Sequence, residues 1–251
     1  MEIGAQLYSL RDYCKSPADI KETLKKVAGI GYTTVQISGI GQINWGELRN
    51  YCDQFGLKAV VTHVPPEKLL EHTDLIIAEH KMLGCVNIGI GSMPMKYCGS
   101  LDGLKAFVRD FAPVMKKISD SKMRFTYHNH AGEFEKFNGK TLFDRLIEQT
   151  AKYDMNFTLD TYWTHFGGKD VVEQIEALEG RIQVIHFKDL AIVKEEPRFA
   201  AIGNGNLNFV KIIAACKKTG IKHIQVEQDQ FYGADPFEEM AVSYQYLKEI
   251  I

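Results

Sequence analysis

The sequence predicts an α/β fold in which residues 1–251 form a single (β/α)₈ barrel domain. Strand-like and helix-like segments alternate along the whole chain, which is typical of a parallel sheet. Eight such units are present, and a chain of 251 residues suits one closed barrel. No long linker or low-complexity tract divides it. An open doubly wound sheet is the alternative, but the first turn, Ser9–Asp12, lacks the GxGxxG pattern of dinucleotide-binding folds.

Eight short apolar runs, bounded by glycine, proline or polar residues, predict the strands. In a closed barrel the carboxyl ends of all strands meet at one face, so the residues that end these strands are expected to surround one pocket. The predicted strands are Ile3–Leu7, Thr33–Ile37, Leu57–Thr62, Cys85–Ile90, Met123–His128, Phe157–Leu159, Val184–Phe187 and Ile221–Val226.

Capping residues and glycines mark the helices between the strands. Ser16 and Pro17 predict the start of the first helix, and Gly31 follows its end. The later predicted helices are Trp45–Phe55 after Asn44, Glu67–Leu83, Leu101–Ser119, Thr141 to about Tyr153, Val171–Leu178, Asn206 or Asn208 to Lys218, and Phe237–Ile251 after Asp235 and Pro236.

The most informative stretch is Phe125–His130, where a strand ends in two histidines separated by one residue. Residues two apart on a strand face the same way, so His128 and His130 are expected to point together off the strand. Glu133 follows three residues later. A lone histidine is usually structural, whereas two at this spacing beside a carboxylate make a metal site an equal alternative.

Three later strands also end in side chains that bind metals, namely Asp160, His186 and Glu227. Mixed imidazole and carboxylate ligands favour Mn²⁺, Co²⁺, Zn²⁺ or Fe²⁺ over a structural zinc, which usually has cysteine ligands. Lys188 lies two residues after His186 and is predicted to bind an anionic or enolic oxygen of the substrate. His63 ends the third strand and is expected at the same pocket.

Several polar and aromatic side chains near strand ends are candidates to contact a sugar, although each is more often a core or rim residue. The loop Gly203–Asn206 precedes a helix and offers backbone N–H groups to a phosphate, but a connecting turn is the favoured interpretation. The candidate contacts are Gln6, Tyr8, Gln36, Tyr162 and Trp163.

Composition argues against several classes of partner. The net charge of −2 and a pI near 6.5 give no support for binding nucleic acid or a membrane surface. No apolar run approaches the roughly 18 residues of a membrane span. The first residues do not resemble a signal peptide, and five scattered cysteines indicate reduced thiols. We therefore expect a cytoplasmic protein, and a homo-oligomer is left open.

Motifs along the whole chain carry a family resemblance. They are Ile3–Ser9, Thr62–Pro65, Tyr127–His130, Asp160-Thr161, His186–Asp189, Gly203–Phe209 and Val226–Asp229. With these motifs the chain resembles the sugar phosphate isomerase/epimerase superfamily of xylose-isomerase-like TIM barrels. In its motifs it is more similar to the 2-keto-myo-inositol dehydratases.

The resemblance implies one bound divalent ion, with Mn²⁺ or Co²⁺ ahead of Zn²⁺, Fe²⁺ or Mg²⁺. The family holds the metal with Glu, Asp, His and Glu at the ends of strands five to eight. The last three correspond to Asp160, His186 and Glu227. His128 stands at the first position and is the predicted fourth ligand, with Glu133 as the alternative.

The implied reaction removes a proton next to the carbonyl of a keto-sugar or keto-inositol, with the metal stabilising the enediolate. His128 replaces a family glutamate, and Gln36 stands where glutamate is frequent, which favours dehydration or another β-elimination over epimerisation. The expected catalytic residues are Glu227 as base, Lys188 as cation, and His130 and Glu133 as acids. Those expected to contact the substrate are Gln6, Tyr8, His63 and Trp163.

Three alternatives remain. A ketose or sugar-phosphate isomerase or epimerase would use the same proton abstraction. An apurinic-site endonuclease of the same superfamily needs a trinuclear metal cluster and a basic face, which eight histidines and a charge of −2 do not support. A non-catalytic sugar-binding barrel belongs to a different functional class, and metal analysis of the purified protein separates it from the enzymes.

Overall fold

A closed barrel of eight parallel strands forms the centre of the protein, in a computed structural model that describes residues 1–251. The strands are β1 (Glu2–Gln6), β2 (Thr34–Ile37), β3 (Lys58–His63), β4 (Asn87–Ile90), β5 (Arg124–His128), β6 (Asn156–Asp160), β7 (Val184–Phe187) and β8 (His223–Val226). Each strand pairs with its neighbours in this order, and β1 closes the barrel against β8. The predicted (β/α)₈ barrel is therefore confirmed.

Ten α-helices surround the strands. Ser16 and Asp19 form the capping box that starts the first helix, while Asn44 and Asp235 cap the second and the last. None of the helices combines the length and hydrophobicity needed to cross a membrane. The helices are α1 (Pro17–Ile30), α2 (Trp45–Gln54), α3 (Pro66–Glu71), α4 (Thr73–Leu83), α5 (Leu101–Asp120), α6 (Leu142–Thr150), α7 (Thr161–Phe166), α8 (Val171–Ala177), α9 (Phe209–Lys218) and α10 (Pro236–Ile250).

The single helix predicted over Glu67–Leu83 is wrong, because the chain breaks at His72 (φ −130°, ψ 37°) into α3 and α4. Neither a glycine nor a proline marks this break. Helix α7 and two small hairpins were also not predicted. The hairpins join Lys136–Phe137 to Lys140–Thr141, and Asp189–Val193 to Glu196–Ala200.

The sequence does not predict the second hairpin, because its turn lacks the residues that normally form such turns. Lys194 (φ 52°) and Glu195 (φ 68°) both adopt left-handed backbone conformations there. Hairpin turns of this geometry normally use Asn-Gly or Asp-Gly, so the sequence carries no turn signal at this point.

Strand parity in β5 directs the first histidine into the barrel. The outward side chains Phe125 and Tyr127 contact Phe111 and Phe107 of α5, with ring centroids 6.0 and 5.8 Å apart. Because successive strand residues face opposite sides, His128 points to the interior. The apolar shell between strands and helices thus determines which residues face the centre.

A tightly packed polar layer closes the barrel below the strand ends. Gln225 Nε2 donates to Thr34 Oγ1 (2.9 Å), and the hydroxyls of Thr126 and Thr158 are 2.8 Å apart. A Cβ atom on Gly4 would lie 2.1 Å from Thr34 Oγ1, so only glycine fits in β1 at this level. The open space of the barrel interior therefore lies at its carboxyl end.

Candidate metal centre and its cavity

Four buried side chains from consecutive strands of the barrel converge at its carboxyl end. His128 ends β5, Asp160 ends β6, His186 lies within β7, and Glu227 follows β8 directly. Asp160 and His186 are register partners on adjacent strands. One ligand atom from each of the four lies within 4.8 Å of all the others. The convergence expected from barrel topology is present.

The orientation of His128 is set by the backbone of the loop after β4. Its Nδ1–H donates to the carbonyl oxygen of Gly91 (2.9 Å), and a carbonyl can only accept. Nε2 of the neutral ring therefore carries a lone pair. This atom lies 3.3 Å from Asp160 Oδ2 and 3.8 Å from Glu227 Oε2.

His186 is oriented by a side chain from the opposite part of the sequence. Its Nε2–H donates to Gln36 Oε1 (2.6 Å), and both residues are fully buried. A neutral ring that donates from Nε2 presents the lone pair of Nδ1 to the centre. Nδ1 lies 2.9 Å from Glu227 Oε2 and 3.9 Å from Asp160 Oδ2.

Burial keeps both rings neutral, because it lowers the pKa of His128 and of His186. Burial also raises the pKa of Asp160 to about 6, and the Glu227 carboxylate adds to this effect. For Glu227, burial also raises the pKa, but the opposing charge of Lys188 is the largest lowering influence, and the pKa lies well below its usual range. Neutral imidazole is the form that binds metals.

This donor set fits a divalent cation. Two imidazole lone pairs and two carboxylate oxygens lie within 4.8 Å of one another, where they repel unless a positive charge lies between them. Mixed nitrogen and oxygen ligands without cysteine suit Mn²⁺, Co²⁺, Zn²⁺ or Fe²⁺. Four protein ligands leave coordination positions for a substrate on an ion that accepts six.

Lys188 places a buried positive charge beside the centre. Its Nζ lies 2.5 Å from Asp229 Oδ2, 3.3 Å from Glu227 Oε2 and 3.7 Å from Asp160 Oδ2. Burial opposes the charge, but the three carboxylates outweigh it and raise the pKa of Lys188. The ammonium group is therefore retained as a fixed hydrogen-bond donor at the cavity wall.

His130 and Glu133, both predicted as acids, occupy different environments. The His130 ring lies 4.7 Å from the His128 ring, lines the cavity and forms no side-chain hydrogen bond within the protein. Glu133 accepts hydrogen bonds from the Tyr127 hydroxyl and from the His130 backbone N–H. It does not line the cavity, so the structure does not bring it to the reacting face.

A cavity of about 540 Å³ lies above the centre. Of the predicted substrate contacts, Tyr8 and His63 line it, whereas Gln6 and Trp163 do not. Gln6 is fully buried and accepts from the Tyr8 backbone N–H. Trp163 packs against Lys188, and the Lys188 Nζ is 5.3 Å from the centre of the Trp163 ring.

The cavity also includes residues that the sequence did not reveal. Phe199 comes from the unpredicted hairpin, and Arg11 from a short 3₁₀ helix, Leu7–Tyr13. Asp229 has a sequence signal, because it lies two residues after Glu227 and continues the same strand parity. The other unassigned lining residues are Ser38, Val64, Pro65, Pro66, Gly91, Ser92 and Gln230.

The glycine-rich loop after β7 is a connecting turn held by one carboxylate. Asp189 accepts backbone hydrogen bonds from Leu190, Gly203, Gly205 and Leu207 at 2.8–3.2 Å. These N–H groups are therefore not available to a phosphate. The favoured interpretation of this loop is supported by its contacts.

The fold and the site together define a barrel with a candidate metal centre at the carboxyl ends of its strands. The family model of xylose isomerase-like TIM barrels matches residues 24–250. The chain belongs to this family, and the resemblance identified from its motifs is confirmed.

Relatives of the chain include two inosose dehydratases. An inosose dehydratase from Geobacillus thermodenitrificans (strain NG80-2) is 27% identical over 149 residues, which are 52% of this chain and 49% of the relative. The chain thus spans about half the length of the curated relatives it matches.

Two crystal structures illustrate the structural similarity. A sugar phosphate isomerase/epimerase from Parabacteroides distasonis ATCC 8503 has a TM-score of 0.84 and 26% identity, covering 99% of this chain and 98% of that one. A D-allulose 3-epimerase from Methylomonas sp. in complex with D-allulose has a TM-score of 0.76 at 14% identity, covering 100% and 97%. The second similarity shows the fold alone.

Proposed function

We propose that residues 1–251 act as one barrel domain and form a divalent-metal-dependent enzyme. It removes a proton next to the carbonyl of a keto-sugar or keto-inositol, with dehydration or another β-elimination ahead of epimerisation. The observation that carries this proposal is the convergence of His128, Asp160, His186 and Glu227 within 4.8 Å beneath a polar cavity. Mn²⁺ or Co²⁺ as the ion, a cytoplasmic location and a homo-oligomer stay predictions.

In this proposal the metal and Lys188 have separate electrostatic roles. His128, Asp160, His186 and Glu227 would hold the ion, which supplies a Lewis acid that polarises the substrate carbonyl. Lys188 lies 3.3 Å from Glu227 and lines the cavity, so it is placed to donate to an oxygen on which negative charge develops. A fixed cation in a buried site stabilises that charge more than the neutral carbonyl.

Proton transfer requires a group that is free to gain and lose a proton. His130 is the candidate acid, since its ring lines the cavity without a partner inside the protein. Burial lowers the pKa of this ring to about 4, so it must take up a proton before it can act as an acid. Glu227 is the carboxylate that both lines the cavity and belongs to the ligand set. It lies 3.3 Å from Lys188. We assign proton abstraction to Glu227 and protonation of the leaving oxygen to His130. Glu133 instead positions His130 through its backbone.

The preference for elimination rests on the unlike nature of these two groups. Two opposed carboxylates suit proton exchange on the two faces of one carbon, as epimerisation requires. A carboxylate and an imidazole instead favour deprotonation at one atom and protonation of oxygen at another. The inosose dehydratase relatives support this direction, whereas the sugar phosphate isomerase/epimerase from Parabacteroides distasonis supports the alternative of a ketose or sugar-phosphate isomerase or epimerase.

Incubation with a panel of keto-inositols and ketoses in D₂O tests the reaction. NMR of the metal-loaded protein should reveal loss of water and an enone or diketone product. Deuterium incorporation with only an isomeric sugar formed would replace elimination by the alternative. Absence of both metal and turnover would favour a sugar-binding barrel.

Metal content of purified variants tests the ligand set. Asp160→Asn and Glu227→Gln should each lower metal content and turnover together, because each removes a charged ligand. Glu176→Gln, on the exposed outer surface, is the control and should retain both. Full metal occupancy in both ligand variants would rule out the assignment.

A further inference from the structure

We propose that the substrate carries an oxyanion group, either a carboxylate or a phosphate ester, and that Arg11 binds it. This inference rests on the proposed function, because it concerns the same cavity. It adds the substrate class and a specificity-determining residue.

Arg11 is the cavity cation that has no carboxylate partner. The other cation, Lys188, already faces Asp160, Glu227 and Asp229 within 3.7 Å. Arg11 lines the same cavity, yet its guanidinium hydrogen bonds go only to backbone carbonyls. A cation left without a counter-ion in a concave polar site is a ready partner for an anion.

The guanidinium group is held in place before any ligand arrives. Nη1–H donates to the Tyr8 carbonyl (2.8 Å), and Nη2–H donates to the Asp229 carbonyl (3.0 Å). Its carbon lies 4.4 Å from the centre of the Tyr8 ring. Of the five N–H donors of arginine, these bonds occupy two, and three remain for an oxyanion.

The loop after β2 packs against Arg11 and Tyr8. A Cβ atom on Gly39 (φ 66°) would lie 2.6 Å from Tyr8 Cδ2 and 3.5 Å from Arg11 Cβ, so the loop is packed directly against the pair. The preceding residue, Ser38, lines the cavity. Its hydroxyl adds a hydrogen-bond donor to the cavity lining.

The charge balance of the loaded site favours an anion. Three carboxylates against the two cations leave a charge of −1 around the cavity, with the histidines neutral. A divalent ion in the proposed site changes this to +1. Electrostatic complementarity then favours a substrate with a negative group remote from the reacting carbon.

The competing explanation is that Arg11 only joins the loops after β1 and β8. The test compares Arg11→Gln with Arg198→Gln, a matched control whose guanidinium also covers a tyrosine ring, Tyr232, at 4.8 Å. Arg11→Lys provides a second variant that keeps the charge but loses the fork. Substrates are neutral keto-inositols and ketoses, their phosphate esters, and cyclic keto-acids, all followed by α-hydrogen exchange in D₂O.

We expect exchange to be faster for the phosphate esters or for the keto-acids than for the neutral compounds, and the faster group identifies the anion. Arg11→Gln should lower kcat/KM for that group about 10- to 100-fold, mainly through KM, as loss of a charge-assisted hydrogen bond predicts. The loss on neutral substrates should be smaller than the loss on anionic ones, and Arg198→Gln should retain the rates on all substrates and the metal content. Equal losses on neutral and anionic substrates would overturn the proposal.

Direct binding separates failure of this inference from failure of the proposed function. Inorganic phosphate and malonate are titrated calorimetrically into the metal-loaded protein and its variants. Binding that is lost in Arg11→Gln and kept in Arg198→Gln supports the anion site, even if no compound turns over. Equal binding in wild type and Arg11→Gln, or none in wild type, refutes it whatever the catalytic result.

Discussion

Replacing Gln36 should weaken metal binding without removing any metal ligand. In the structure, Gln36 Oε1 lies 2.6 Å from His186 Nε2 and holds the proton on that nitrogen. In Gln36→Met the acceptor is lost, and the proton can move to Nδ1, where Glu227 Oε2 lies 2.9 Å away. Since Nδ1 is the proposed ligand atom, this proton must leave before a metal binds.

The size of the effect follows from this geometry. Loss of a group that orients a metal-binding histidine typically lowers metal affinity about 10- to 100-fold. Both side chains are fully buried, so losing the hydrogen bond should also cost about 1–3 kcal/mol of folding free energy. Methionine has a similar length and adapts to the space that remains.

A competitive chelator titration with Mn²⁺ and Co²⁺ measures the affinity, and ¹⁵N NMR of the His186 ring reports its tautomer. Gln225→Met is the matched control, because Gln225 is equally buried in the barrel and is bonded to Thr34 rather than to a proposed metal ligand. It should lose stability but keep its metal affinity. Equal affinity in wild type and Gln36→Met would refute the reasoning.

Two further outcomes can be checked by chemical denaturation. In Gly91→Ala, the new Cβ would lie 2.9 Å from His63 Nδ1. We expect this overpacking to lower the free energy of unfolding by about 1–3 kcal/mol and to weaken metal binding. Unchanged stability and metal affinity would contradict this expectation. Burial lowers the pKa of His80 to about 4. On acidification the His80 ring is therefore protonated at a higher pH in the unfolded state than in the folded state. Stability should fall by about 2 kcal/mol more between pH 7 and pH 5 in wild type than in His80→Gln, and parallel pH profiles would exclude this role.

Much of the fold was predictable because its signals are local. Strand parity and caps such as Ser16, Asn44 and Asp235 are read within a few residues, and all eight barrel strands were placed within two residues of their observed ends. The errors fall where local signals are missing. No glycine or proline marks the break at His72, and Lys194 occupies a left-handed turn position.

The types and convergence of the proposed ligands also follow from sequence. Asp160, His186 and Glu227 lie at or near the carboxyl ends of barrel strands, and closure of a parallel barrel brings such ends together. The residues that orient them could not be predicted. Gln36 and His186 are 150 positions apart, and their contact depends on how two side chains fill the closed interior.

The sequence by itself determined the eight-unit architecture and the chemical character of its carboxyl face, because hydrophobic period, capping and strand parity are properties of short segments. Only the tertiary structure decided which polar residues reach the cavity. It turned Glu133 towards Tyr127 and brought Arg11 to the cavity without a carboxylate partner. These outcomes depend on side-chain packing and loop conformation across distant parts of the chain, which no local pattern encodes.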